Sequence, residues 1–567
     1  MSAYLRRRLT FLVAILVVVA GLLALRLIHV QIVRGADLRR QARMERIHRL
    51  VLPEPSWGLI YDRDGFMLVA NEPRYMIEAN PPYIDAEDVD FVAERLAPIL
   101  HVPSETISMV LSQEVSWVSL EPFATMQEGE AVQRLGLDGL DARLRWVRRY
   151  PHGALAAHVL GFVSRGGGGF YGLEGYYDRV LRPEVPVWQG ETGPTGRWPL
   201  PQEDGAVPPP LSGNDLVLTL DLAVQAVVEE ELARALEEFG AESGTVIVMN
   251  PRTGAILAMA SQPAFDPNRY ERYICWGQED VFLSPAIGTQ YEPGSVFKII
   301  TVAAALDSGT VTAQATYVDM GQIEVGGQVV TNWDGKAYGE RDLVDLLGYS
   351  LNVGAVHLAV QMGPDTFYRY VRAFGFGRPT GVDLQGEAVG RVRVPDDLDW
   401  HDSDLGVNAF GQGVAVTPLQ MLAAVAAVAN EGRLMRPYLV AQQVFPDGTV
   451  IESRPVVQGQ PISPQTARTL TEILAQAVER RMPQVQVEGY RIAGKTGTSQ
   501  IPIPGGYDPR WTIGSFVGFG PVRDPQLIIL VRLDRPRTSP WGSETAALVF
   551  QRLASRLFPM LGIPPDA

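Results

Sequence analysis

Lysine is nearly missing from this 567-residue sequence: of 49 basic residues only Lys298, Lys336 and Lys495 are lysines, and the rest are arginine. Arginine keeps its proton in any protein environment, whereas a desolvated lysine can give its proton up. A chain that uses lysine in three places singles those places out for chemistry. Cysteine is scarcer still. A lone Cys275 excludes any internal disulfide and any cysteine-based zinc or iron–sulfur site, and Cys275-Trp276 reads as core or groove lining. The seven histidines (29, 48, 101, 152, 158, 357 and 401) show no metal-ligand spacing and read as surface or core residues. Basic charge is short as well: the formal net charge of -15 argues against a nucleic-acid partner, which needs a basic surface.

What is present is ordinary globular composition, 46% apolar and 20% charged, at a length that predicts two or three folded units. The charge-free run Leu9 to Leu25 would span about 25 Å as a helix, a little short of a hydrocarbon core of about 30 Å. Apolar residues resume after Arg26 as far as Val33, so the helix can extend while Arg26 snorkels. Arg6, Arg7 and Arg8 place residues 1–8 in the cytoplasm and the remainder outside. No small-x-small site follows the run, so a transmembrane anchor is expected at 9–33 rather than a removed signal peptide.

Residues 36–182 read as a mixed α/β domain. Trp57-Gly-Leu-Ile-Tyr-Asp-Arg-Asp-Gly-Phe predicts a strand, an Asp64-Gly65 turn and a second strand over Met67 to Ala70. Gly166 to Gly169 reads as a loop rather than a phosphate cradle, having neither P-loop spacing nor a lysine. A proline-rich linker is expected at 183–213. Beyond it, 214–562 reads as an α+β domain with helices packed on an antiparallel sheet. Asp221 is a natural N-cap for a helix over Leu222 to Glu238, and Thr245 to Met259 predicts a hairpin. Helices follow at Pro418 to Ala429 and Pro464 to Arg480. Strands then return at Tyr490 to Gln500, Ser515 to Gly520 and Leu527 to Leu533, before a helix at Glu544 to Phe558.

Two of the three lysines sit in short motifs. Lys298 follows Ser295 by three residues in Glu292-Pro-Gly-Ser-Val-Phe-Lys298, where Pro293-Gly294 signals a turn and Ser295 opens a buried helix. Residues i and i+3 share a helix face, so the amine can reach the hydroxyl, and serine needs such a base to act as a nucleophile. For Lys298 to serve near neutral pH its pKa must fall from about 10.4 by roughly 3, or about 4 kcal/mol. Burial supplies part of that. A second cation at ~4 Å and an effective dielectric near 20 would supply ~4 kcal/mol more, and Lys495 is the candidate. Ser350-Leu-Asn352 can place a hydroxyl for proton transfer and an amide for substrate. Lys495-Thr-Gly-Thr498 reads as strand, where Gly497 lets a substrate backbone lie against the edge. Lys336 reads as an exposed turn residue. Glu174 and Asp178, four apart on a helix, read as structural.

Each motif alone is weak, but Ser-x-x-Lys, Ser-x-Asn and Lys-Thr-Gly in this order resemble the penicillin-binding proteins and serine β-lactamases. Gly244 to Met259, Phe265-Asp-Pro-Asn268, Gly411-Gln-Gly413, Thr417-Pro-Leu-Gln420 and Ser515-Phe-Val-Gly-Phe resemble the family's transpeptidase domain. Gly58 to Gly65 and Gly172-Leu-Glu-Gly-Tyr-Tyr-Asp178 resemble the non-catalytic pedestal of its class B members. The resemblance implies a peptidoglycan D,D-transpeptidase without metal or cofactor, acylated by β-lactams. Its partner would be a membrane glycan polymerase of the shape, elongation, division and sporulation family. In that reading Ser295 is the nucleophile and Lys298 the base. Ser350 and Asn352 assist proton transfer and substrate placement, and Lys495 sets the field. Thr496, Gly497 and Thr498 bind substrate, with the backbone N–H groups of Ser295 and Thr498 as oxyanion hole. The sequence departs from the family twice: Trp57 replaces an arginine, and Arg182-Pro183 replaces a glycine. Ser350-Leu-Asn-Val-Gly354 favours the division type over the elongation type. Other readings are a non-catalytic scaffold, a β-lactam sensor and a β-lactamase.

Overall fold

The computed structural model describes residues 56–183 and 212–566, together with residues 16, 17, 19–22 and 26, which are helical. Most of the expected anchor at 9–33 and nearly all of the expected linker at 183–213 lie outside the described residues. Among the described residues no helix is long and apolar enough to cross a membrane.

The described residues 56–183 and 212–566 lie in one compact unit. Its N-terminal part holds strands β1 (Ile60–Tyr61) and β2 (Met67–Ala79), helices α1 (Val89–Leu100) and α2 (Ser104–Leu111), strand β3 (Val118–Ala124), helix α3 (Met126–Leu135) and strand β4 (Leu140–Arg149). Strand β2 pairs with β3 and with β4, both antiparallel. The small core behind them gathers Ile77, Val92, Leu96, Ile107 and Val132. Helix α3 starts at a reciprocal cap in which the Thr125 hydroxyl accepts from the Glu128 N–H and the Glu128 carboxylate accepts from the Thr125 N–H.

The Asp64-Gly65 turn forms as expected between β1 and β2. The buried Asp62 carboxylate accepts from the Asp64 and Phe66 N–H groups, at 2.9 and 2.8 Å. A parallel partner of β1, the strand β5 (Asp215–Leu218), carries the same sheet into the C-terminal part. Helix α4 (Leu222–Phe239) then begins at Asp221, whose carboxylate accepts from the Ala223 and Val224 N–H groups.

Strands β6 (Ser243–Met249) and β7 (Ile256–Gln262) make the predicted hairpin. Helix α5 (Lys298–Asp307), helix α6 (Asn352–Met362) and helix α7 (Pro418–Ala429) follow. Strand β8 (Val440–Val444) pairs with β5, and helix α8 (Pro464–Arg481) leads to β9 (Ala493–Ile503), β10 (Gly506–Gly520), β11 (Leu527–Asp534) and helix α9 (Ala546–Met560). The main sheet runs β9-β10-β11-β6-β7, antiparallel throughout, with β9 at its edge.

The apolar run Thr245-Val-Ile-Val-Met249 follows from this layering. Val246 and Val248 join the core with Val224 and Val228 of α4 and with Val549 and Phe550 of α9. Ile247 and Met249 face the other core, built with Ile299 and Ile300 of α5 and with Leu419 and Met421 to Ala429 of α7. A strand covered on both faces has no place for the polar half of an alternating pattern. The strand expected from Tyr490 begins at Ala493 instead, because Tyr490 and Arg491 are drawn aside. The Tyr490 hydroxyl donates to the Ile563 carbonyl at 2.7 Å, and Arg491 pairs with Glu472 and Glu479 of α8.

The two departures from the family pattern meet in space. The guanidinium carbons of Arg148 and Arg182 lie 5.6 and 5.4 Å from the centre of the Trp57 ring. Arg148 is buried, and it donates to Glu174 at 2.9 Å, to the Gly58 carbonyl at 2.7 Å and to Asn71 at 3.0 Å. Glu174 is thus structural, as is Asp178, which accepts from the Gly169 N–H and from Arg182. Cys275 and Trp276 are exposed rather than core. They end a short helix, Tyr270–Cys275, whose inward anchor is the Tyr270 ring stacked 4.4 Å from Phe162.

Candidate active site

Ser295 stands on a single 3-10 turn, Gly294–Phe297, that runs straight into α5 at Lys298. The sequence pointed to an α-helical turn from Ser295. The tighter form arises at its entry, where Gly294 has φ +53°, a left-handed conformation that glycine adopts without penalty. The Gly411 backbone closes on the same point, and the Gly294 N–H donates to the Gly411 carbonyl at 3.3 Å. In a 3-10 turn residues i and i+3 eclipse, so Ser295 and Lys298 rise on one side.

Lys298 is fully buried. Its Nζ donates to the Ser350 carbonyl at 2.6 Å, the Ser350 Oγ at 3.2 Å and the Asn352 Oδ1 at 2.8 Å. The three hydrogen bonds of the amine therefore run to the Ser-x-Asn segment rather than to Ser295. Ser350 has φ +61° in the bend between the helix Leu343–Gly348 and α6. For a non-glycine residue this conformation costs of order 1–3 kcal/mol and persists only where surrounding structure enforces it. It turns the Ser350 carbonyl and hydroxyl together onto one amine.

Lys495 is also fully buried, on the edge strand β9, and its Nζ donates to the Thr496 carbonyl at 3.1 Å and hydroxyl at 3.2 Å. Among the described residues no carboxylate lies within ion-pair distance of either lysine. Burial, and after it the charge of Lys495, holds the Lys298 amine well below the ordinary lysine range. Burial alone brings Lys495 down to about 7. These are the two causes that depress an amine pKa, desolvation and a like charge.

Gly497 is required by close packing: a Cβ there would collide with the Ser515 hydroxyl, Val296 and the Pro293 carbonyl. The Lys-Thr-Gly strand is thereby seated against the turn that carries Ser295. The Thr498 Oγ1 accepts from the Gly542 N–H at 2.9 Å. All eight residues singled out by the three motifs thus belong to one neighbourhood, built from the Ser295 turn, the Ser350 bend and β9. Lys336, the third lysine, is exposed beside Asp334 at 3.4 Å. Asn332, outside the motifs, reaches the head of α6 next to the Ser350 bend, and Asp319 accepts from its amide. No local signal marks them, because their partners lie up to 21 residues away.

A model of the penicillin binding protein transpeptidase domain matches residues 244–555, and one of the penicillin-binding protein dimerisation domain matches residues 53–218. Stage V sporulation protein D of Bacillus subtilis is 33% identical over 99% of this chain and 86% of its own length. The probable peptidoglycan D,D-transpeptidase PenA of Neisseria meningitidis is 29% identical over 98% of this chain and 93% of its own. Among solved structures, penicillin binding protein 3 of Mycobacterium tuberculosis, complexed with aztreonam, aligns with a TM-score of 0.70 at 27% identity, covering 91% of this chain and 98% of that one. With both domain models matched in tandem around such a site, the chain belongs to the penicillin-binding proteins of the class B arrangement, a dimerisation domain ahead of a transpeptidase domain.

Proposed function

We propose that this protein is a peptidoglycan D,D-transpeptidase in which Ser295 is the nucleophile. The observation that carries the reading is a pair of fully buried lysines without a counter-ion among the described residues, one of them three residues after a serine on a 3-10 turn. Burial and the charge of Lys495 both favour the neutral form of the Lys298 amine, and in that form it is a base. Ser295 Oγ attacks the carbonyl of the penultimate D-alanine of a stem peptide while Lys298 Nζ takes the hydroxyl proton. The C–N bond then breaks and D-alanine leaves with a proton. An amine of a neighbouring stem next attacks the seryl ester, the bond from Ser295 Oγ to the acyl carbon breaks, and a proton from the amine returns to Ser295. Ser350 Oγ, 3.2 Å from Lys298 Nζ, relays the proton toward the leaving amine, and the Asn352 amide places the substrate.

The ammonium of Lys495, with the Thr496 and Thr498 hydroxyls, holds the terminal carboxylate. Gly497 lets the strand pack against the turn that carries Ser295, and the edge of that strand takes the stem-peptide backbone. The N–H groups of Ser295 and Thr498 form the oxyanion hole, each donor contributing about 3 kcal/mol. β-Lactams enter by the same attack and leave a stable acyl-enzyme. Residues 36–182 serve as pedestal, 183–213 as linker and 214–562 as the transpeptidase. The apolar run at 9–33 anchors the chain in the bacterial cell membrane with the catalytic domain outside. A glycan polymerase of the shape, elongation, division and sporulation family is the proposed partner, and Ser350-Leu-Asn-Val-Gly354 supports the division type.

Intact-mass spectrometry of the full chain after exposure to a penicillin tests the reading, with Ser295→Ala alongside. We expect one stable drug-mass adduct on the wild type and none on the variant. Unmodified wild type with intact drug would support a scaffold instead, and unmodified protein with hydrolysed drug would make it a β-lactamase.

A further inference from the structure

Helix α6 starts without a cap of its own. Leu351 holds the N-cap position and has no side chain able to accept from the first N–H groups. Yet this start carries Asn352, and one residue earlier stands Ser350 in its left-handed conformation. Something outside the motif must hold both.

Asn332 fills that place. Its Oδ1 accepts from the Asn352 N–H at 3.0 Å and the Val353 N–H at 3.2 Å, capping α6 from a distant loop. Its Nδ2 donates to both oxygens of Asp319, at 2.9 and 3.0 Å, and to the Lys336 carbonyl at 3.0 Å. Asn332 is 2% exposed and Asp319 1%. The partners fix the amide orientation, since only Nδ2 can donate to a carboxylate and only Oδ1 can accept from backbone N–H groups. The same loop holds the other side of the bend. The Trp333 Nε1 donates to the Tyr349 carbonyl at 3.2 Å, immediately before Ser350. The Asn352 side chain closes the circuit, its Nδ2 donating to the Thr331 carbonyl at 3.0 Å while its Oδ1 accepts from Lys298.

We propose that Asn332, oriented by Asp319, is a positioning residue for acyl transfer, holding Ser350 and Asn352 at the distances where they meet the Lys298 amine. The assignment rests on the acyl-transfer reading above and adds to it residues that touch no substrate. Loss of the Asn332 amide leaves two N–H groups at the head of α6 without acceptors and frees the Ser350 bend to relax toward an ordinary conformation. The Ser350 hydroxyl and Asn352 carbonyl oxygen then drift from Lys298. Misplacement of a reacting group by ~1 Å costs about 100-fold in rate.

The test uses the full-length chain in detergent and a fluorescent penicillin, separating the drug's dissociation constant from the acylation rate constant and counting active sites by burst amplitude. Asn332→Ala and Asp319→Asn should each lower the rate constant about 10- to 100-fold per active site, with the dissociation constant nearly unchanged. The Asn332→Asp/Asp319→Asn double variant swaps donor and acceptor but keeps a bond between the two positions. It should recover at least half of the lost logarithm of rate, which a cap serving stability alone would not do once active sites are counted. Unchanged rate constants in both single variants overturn the assignment. So does a double variant no faster than the slower single one, and that comparison decides the matter if Asn332→Ala fails to fold. A wild type that takes no label overturns the acyl-transfer reading itself. A labelled wild type with unaffected variants overturns only the role of Asn332.

Discussion

Lys298 and Lys495 lie fully buried in the transpeptidase domain, with no carboxylate beside them among the described residues, whereas Arg148, buried in the dimerisation domain, donates from Nε to Glu174 at 2.9 Å and holds Nη2 at the same distance from that carboxylate oxygen. Both regions take cations out of water, and they resolve the cost in opposite ways. In the dimerisation domain the charge is kept and neutralised by a partner, which the Tyr150 hydroxyl joins at 3.2 Å. In the active site burial instead favours loss of the charge from Lys298, because arginine could not release a proton there and lysine can. A buried ion pair holds structure, and a buried unpaired amine holds reactivity. The scarcity of lysine elsewhere in the chain agrees with this division.

The largest test of the contrast is kinetic. Lys298→Ala should leave a folded protein whose acylation by penicillin is slower by about 10²- to 10⁴-fold, the usual range for a general base, while Ser295→Ala abolishes the adduct. Arg148→Met, at the other buried cation, should leave the rate constant per active site within a fewfold of wild type. If Arg148→Met slowed acylation as much as Lys298→Ala does, the division between holding and reacting would collapse.

Stability should reverse the order. Removal of one partner from the ion pair, by Arg148→Met or Glu174→Gln, should cost about 3–5 kcal/mol, since the remaining group stays buried alone. Burial already pushes the Glu174 carboxyl above its ordinary range, against the pull of Arg148. Urea unfolding of the full chain measures the loss.

How far this division could be read from the sequence depended on distance along the chain. Ser295 and Lys298 were legible because a three-residue spacing fixes a shared face in either kind of helix. Lys495-Thr-Gly-Thr498 was legible because a strand edge and a glycine have local signatures. The cap at Asp221 was legible for the same reason, bonding within three residues. The left-handed Ser350 was not, since no propensity places a serine there and only contacts from Asn332, Trp333 and Lys298 enforce it. Trp57 and Arg182 could be seen as departures singly. That they answer each other needed a fold which brings residues 125 positions apart onto one ring.

The buried lysines should instead weaken the fold at neutral pH. Lys495 is lowered to about 7 in the folded chain, while in the unfolded chain it keeps a proton up to about 10.4. Between those values the unfolded state binds more protons, so stability rises with pH across the window. The cost is absent above about 10.4, grows as pH falls to about 7, and is constant below that. Lys495→Met should therefore be more stable than wild type by about 1–4 kcal/mol at neutral pH, and the difference should vanish near pH 10. Thermal unfolding of the two proteins across that range reads it directly. A Lys495→Met variant no more stable than wild type at neutral pH would mean the amine is well solvated and the comparison misplaced.

The smallest effect sharpens the dimerisation side. Trp57 receives Arg148 and Arg182 at 5.6 and 5.4 Å, and contacts of this kind contribute about 0.5–2 kcal/mol each. Trp57→Arg restores the residue usual in the family, but here it places a third guanidinium among two and removes the ring both lie against. It should lower stability by about 1–3 kcal/mol. Arg182→Gly, the other reversion, removes one contact and the bond to Asp178, so about 1 kcal/mol is expected. If the two departures compensate each other, the double reversion should cost less than the sum of the single ones by at least about 0.5 kcal/mol, the coupling seen between residues in contact. Strict additivity in urea midpoints would instead make them independent substitutions, and the neutralisation of charge in this domain would rest on Arg148 and Glu174 alone.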